Sequence, residues 1–108
     1  MSLNYQIIFC TCPDHNSANE IATHLVTEKL AACVNILPAV TSVYEWQGKI
    51  ESAQEQLLLI KSHDDFYARI ETEIINLHPY ELPEVVAVPM EHASPQYLQW
   101  INSCLLPE

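Results

Sequence analysis

A single glycine, Gly48, among 108 residues excludes the glycine-rich loops through which phosphate-binding folds bring backbone close to a nucleotide. Basic residues are nearly as scarce. Lys29, Lys49, Lys61 and Arg69 stand against fourteen acidic residues, a formal net charge of -10, and a surface of that sign repels the phosphate backbone of nucleic acid while drawing in cations. No apolar run approaches the ~20 residues of a membrane span. The opening "MSLNYQIIFCTCP" has neither the basic start nor the apolar length of a secretory leader. The four cysteines, Cys10, Cys12, Cys33 and Cys104, lack framework spacing, so reduced thiols and a cytosolic, cytoplasmic setting are expected.

What is present suits one folded domain over residues 1–108, since 49% of the chain is apolar and that length can bury a single core. Residues 4–12, "NYQIIFCTC", are rich in strand formers and stop at Pro13. The period then changes. Ser17 and Glu20 have capping-box spacing, and Ile21, Leu25, Val26 and Leu30 form a helical stripe, which predicts a helix over residues 18–30. "CVNILPAVTSVYEW" and "KIESAQEQLLLIKS", joined at Gln47 and Gly48, read as two long strands of a hairpin.

"HDDFYARIETEIINL" places Phe66, Ile70, Ile74 and Leu77 at helical spacing, and Pro79 stops that helix. "EVVAVPM" reads as a buried strand, and "SPQYLQWINSCLL" as a C-terminal helix capped by Ser94 with Pro95 at its first position. The order predicts an α+β fold: a ferredoxin-like split βαβ sandwich, with a four-stranded antiparallel sheet, both long helices on one face, a long β-hairpin and an extra C-terminal helix.

The hairpin is too long for the body. Fourteen residues from Cys33 to Trp46 extend about 45 Å, whereas a domain of this size is about 35 Å across. It must project or bend, and Pro38 marks the bend. With Gln47 and Gly48 as a two-residue turn, Trp46 opposes Lys49 and Tyr44 opposes Glu51. A protruding edge carrying Tyr44 and Trp46 invites packing against another copy of the chain.

Thiolate and imidazole together suit copper and zinc. Strand alternation puts the sulfurs of Cys10 and Cys12 on one side, and in a split βαβ sheet the end of the first strand meets the start of the last. Cys10 and Cys12 therefore approach His78, with Tyr80, Glu81 and Glu84 nearby. His15, His24, His63 and His92 lie near ends or polar faces and are expected in solvent. Arg69 is expected on the surface as an ion-pair partner, and Cys33 and Cys104 as packing residues. Nothing marks the third orienting group or oxyanion hole that a Cys/His nucleophile needs, so no enzyme is expected.

The chain resembles the CutA family, linked to divalent-cation tolerance, through "CTCPD" at 10–14, "EKLAACVNILP" at 28–38, "SVYEWQGKIE" at 42–51, "HPYELPEV" at 78–85 and "YLQW" at 97–100. The resemblance implies a homotrimer of ferredoxin-like subunits whose hairpins pack on their neighbours, similar in architecture to PII signalling proteins. It also implies a copper site, with copper or another divalent cation held by Cys10 and His78. Some relatives carry two consecutive histidines there, where this chain has Leu77 before His78; Cys12 is the alternative sulfur. A second reading is a PII-like small-molecule sensor or interaction scaffold whose clefts are lined by Tyr44, Trp46, Lys49, Glu51, Tyr80 and Trp100.

Overall fold

The computed structural model describes residues 4–107. Strand β1 (Tyr5–Cys12) leads into α1 (His15–Thr27); β2 (Cys33–Trp46) and β3 (Lys49–His63) form the hairpin; a 3-10 turn (Asp64–Phe66) opens α2 (Tyr67–Leu77); β4 (Val86–Pro89) and α3 (Pro95–Cys104) follow. The sheet order β2-β3-β1-β4, antiparallel throughout, is the expected split βαβ arrangement. Ile8, Cys10 and Cys12 on β1 and Leu58 and Ile60 on β3 face the helices. There they meet Ile21 and Leu25 of α1 and Phe66, Ile70 and Ile74 of α2 in one core, closed by Ile101 and Leu105.

The first helix begins earlier than its capping-box pattern predicts. Asp14 is the N-cap, its side chain accepting from the Ser17 N–H at 2.8 Å, so Ser17 lies in the first turn rather than before it. The helix also ends sooner: Lys29 turns to φ 60, and the N–H groups of Leu30 and Ala31 both return to the Leu25 carbonyl. Ser94 and Pro95 begin α3 as predicted.

The hairpin projects, giving principal extents of 46 × 26 × 22 Å. Its turn has Gln47 at φ 51 and Gly48 at φ 78, the paired left-handed conformations of a tight hairpin turn. Trp46 faces Lys49 and Tyr44 faces Glu51, as expected. The break falls beside Pro38, where the register shifts between Leu37 and Val40 and Ala39 adopts φ 59. β1 pairs with β3 only from Gln56 to His63, so beyond the bulge the two hairpin strands run on as an unaccompanied ribbon.

Candidate metal centre

Alternation along β1 turns Cys10 and Cys12 toward the helices, and both are fully buried. His78 follows the last residue of α2. Its N–H still closes a helical bond to Ile74 at 2.8 Å, but ψ 138 takes the backbone extended, as the residue before a proline prefers. That turn swings the imidazole back onto β1. One ligand atom each from Cys10, Cys12 and His78 then lies within 4.8 Å of the others, with all three residues buried. Sequence spacing of 66 residues or more is bridged by the β1–β4 neighbourhood predicted from topology.

Both nitrogens of His78 are engaged. The backbone N–H of Tyr80 donates to Nδ1 at 3.0 Å, so the neutral ring carries its proton on Nε2 and donates to the Thr11 carbonyl at 2.7 Å. The ring of Tyr80 lies 4.8 Å from that of His78, and its hydroxyl donates to Glu55 at 2.8 Å. Burial and the hydrogen bond to Glu55 push the phenol up to about 12.

The thiols divide their roles. The hydrogen bond with Cys12, then burial, then the charges of Glu84 and Glu55 raise the Cys10 thiol far above its usual range. The same hydrogen bond lowers Cys12, against burial and the nearby carboxylates of Asp14 and Glu55. The two thiols titrate together, so their protons leave in two steps that belong to the pair. All four cysteines are free thiols.

By donor type the cluster fits a thiophilic ion: two sulfurs and an imidazole are the set that holds copper or zinc. Three donors fall short of the four that close a structural zinc site. Glu81 is exposed and Glu84 reaches the cluster through its charge on Cys10. Glu55, only 8% exposed and bonded to the Tyr80 hydroxyl beside the cluster, is the neighbour that sequence reasoning missed. A charged residue amid the alternation "SAQEQLLLI" was the available signal.

The six cleft residues do not share one cleft within a subunit. Tyr44 is near enough to Tyr80 for its charge to raise that phenol, but Trp46, Lys49 and Glu51 lie at the exposed hairpin tip. Trp100 stacks on Tyr97 at 5.7 Å, and Tyr97 senses Cys33 at the hairpin base. Roughly a strand length, about 40 Å at ~3.3 Å per residue, separates base from tip.

Two of the histidines expected in solvent are elsewhere. His63 is 4% exposed; its Nδ1 accepts from the Asp65 N–H at 3.2 Å as the cap of the 3-10 turn, and Tyr5 meets its ring edge-on at 4.9 Å. His24 is half-buried and joins α1 to α2 through Glu73 at 2.6 Å. His15, His92 and Arg69 are exposed. Cys104 packs against the core, and Cys33 accepts from the Lys61 ammonium at 3.8 Å.

A family profile described as CutA1 divalent ion tolerance protein matches residues 6–104. A mouse relative named Protein CutA is 45% identical over 94 residues, covering 87% of this chain and 53% of its own. This chain thus spans about half the length of that relative. A Yersinia pestis relative named divalent-cation tolerance protein CutA is 43% identical over 103 residues, covering 95% of this chain and 87% of its own. The solved CutA structure from Xylella fastidiosa superposes with a TM-score of 0.91 at 48% identity over 94% of this chain and 97% of that one. A structure from Archaeoglobus fulgidus, described as a periplasmic divalent cation tolerance protein, superposes at 0.90 with 36% identity, covering 93% and 97% of the two chains.

Proposed function

Because the chain belongs to the CutA1 divalent ion tolerance family, we propose that it is a non-enzymatic homotrimer that supports divalent-cation tolerance by holding copper, or another thiophilic cation, at Cys10, Cys12 and His78. The observation that carries this reading is the convergence of two buried sulfurs and a buried imidazole within 4.8 Å. Burial favours a soft ion that needs no water ligands, and the two sulfurs favour Cu(I) over harder cations. Uptake displaces thiol protons, so affinity rises with pH. With one imidazole where some relatives carry two, the site is a weak one.

Trimer formation is supported by the hairpin tip, where Val43, Trp46 and Ile50 are 68%, 60% and 74% exposed. An apolar ribbon of that kind is covered by neighbouring copies of the same chain. No helix among the described residues is long and apolar enough to cross a membrane; a reducing cytosol is the compartment in which free thiols would stay competent.

Titration of the reduced protein with Cu(I) and Cu(II), repeated on Cys10→Ser and His78→Ala, tests the site: affinity unchanged in both variants sinks it. Native mass spectrometry of wild type and Trp46→Glu tests the assembly, with an unaltered trimer in the variant counting against tip packing.

A PII-like sensor or scaffold is the second reading, favoured by the exposure of Trp46 and Trp100 at opposite ends of one subunit, where only neighbouring subunits could bring them to one cleft. Thermal shifts with small metabolites in metal-free protein support it, and shifts with metals alone count against it.

A further inference from the structure

We propose that Glu55 and Tyr80 form a latch over the thiol–imidazole cluster, and that the cluster accepts a ligand ion only when this latch opens. The inference rests on the reading of Cys10, Cys12 and His78 as a metal site, and it assigns that site its gate. Tyr80 touches the cluster twice, through its N–H donating to His78 Nδ1 at 3.0 Å and its ring 4.8 Å from the imidazole, and its hydroxyl donates to Glu55 Oε2 at 2.8 Å. The phenol thus bridges the end of α2 to β3.

The chemistry of imidazole requires the N–H of Tyr80 to withdraw, whichever nitrogen ligates. If Nδ1 binds the ion, it needs the lone pair that now accepts from Tyr80. If Nε2 binds it, the proton now donated to Thr11 must move to Nδ1, and a protonated Nδ1 cannot face an N–H donor. Thr11 cannot be the part that yields, because it lies within β1 and pairs with Leu57 on β3. Tyr80 can: residues 79–85 contain neither helix nor strand, and Leu82 beside it is 89% exposed. What fastens Tyr80 is the carboxylate of Glu55, itself 8% exposed.

A latch and a mere structural support differ in sign. Latch and metal compete, so removing the phenol hydroxyl raises the open population, and the apparent dissociation constant falls with it. Loss of a structural support would loosen the ligands and weaken binding. Glu55 and Tyr80 are positioning residues in this scheme and do not touch the ion.

The test uses Tyr80→Phe, which keeps the ring and the N–H, and Glu55→Ala as a second route to the same opening. In metal-free reduced protein, maleimide labelling of each cysteine is followed by peptide mass spectrometry, with Cys33 and Cys104 as internal references; Cu(I) transfer from a chelator is then timed. The expected result is labelling of Cys10 and Cys12 about tenfold faster in Tyr80→Phe, the scale of one hydrogen bond to a carboxylate, with Cys33 and Cys104 unchanged and Cu(I) loading faster at tighter affinity. Unchanged labelling of Cys10 and Cys12 in both variants overturns the latch even if copper binds. Weaker copper binding in both variants also overturns it. Faster labelling in a protein that takes no copper keeps the latch and removes the metal reading. If Glu55→Ala labels faster at all four cysteines, its fold has loosened and Tyr80→Phe decides.

Discussion

Ser62 on β3 donates its hydroxyl to the carbonyl of Leu30 at 2.6 Å, with both residues buried, and so ties the sheet to the turn that ends α1. The tie explains how Lys29 is kept at φ 60, a conformation unfavourable for a residue with a Cβ. Ser62→Ala leaves the Leu30 carbonyl without that donor and lowers stability by about 1–3 kcal/mol. Urea unfolding at fixed protein concentration checks it: the midpoint falls and the slope stays the same.

The hairpin turn makes its own prediction. A methyl group added at Gly48 would meet no atom within 4 Å, yet the residue sits at φ +78. Gly48→Ala therefore costs about 1 kcal/mol through backbone strain alone. Gln47→Asn acts the other way, because Asn tolerates the left-handed conformation that Gln47 adopts at φ 51. Thermal denaturation of the two variants should move in opposite directions.

Asp14 gives the fold an acid limb. The backbone N–H of Ser17, then its hydroxyl, hold the Asp14 carboxyl below its ordinary value of 3.8. A depressed folded value means that the cap contributes fully above the unfolded value and is lost as pH falls through the folded one. The wild type should lose melting temperature below pH 3.8 more steeply than Asp14→Asn, whose amide caps without titrating. Parallel curves for the two proteins from pH 2 to 6 would contradict this assignment.

Tyr80 gives the alkaline counterpart. Burial and the Glu55 hydrogen bond raise its phenol from 10.0 to about 12, so the favoured form is the neutral one. Its contribution is complete below pH 10 and disappears as pH rises toward 12. Absorbance titration of the phenolates should lose its latest-titrating component in Tyr80→Phe, and in Glu55→Gln that component should shift to lower pH.

The strand order and the meeting of Cys10, Cys12 and His78 were legible because they follow from periodicity and one topological rule. Alternation fixes which way the cysteines face, and the split βαβ order fixes which segment lies beside them. The start of α1 was misread by three residues because Asp14 and Ser17, three positions apart, can each cap a helix and the carboxylate of Asp14 won. His63 looked like a solvated strand end. Its burial depends on Tyr5, 58 positions away in the chain, and on a backbone N–H it caps. Glu55 was missed for a similar reason, since its partner Tyr80 approaches from the irregular segment after α2. Side chains satisfied by distant irregular segments leave no local pattern in the sequence.

The bulge at Pro38 coincides with the point where β3 loses β1 as a partner: Glu55 pairs with Val40 beyond the shift, whereas Gln56 onward pairs with β1. The hairpin is therefore two bodies in one. The inner part is held on both sides by a sheet; the outer ribbon is an isolated two-stranded pair, marginal in water by itself. In the proposed homotrimer its order comes from the neighbouring copies that cover Val43, Trp46 and Ile50, exposed in the single chain. Amide exchange in the ribbon should then slow as protein concentration rises, while exchange in the inner strands stays constant, so one chain carries both an intrinsic fold and a borrowed one.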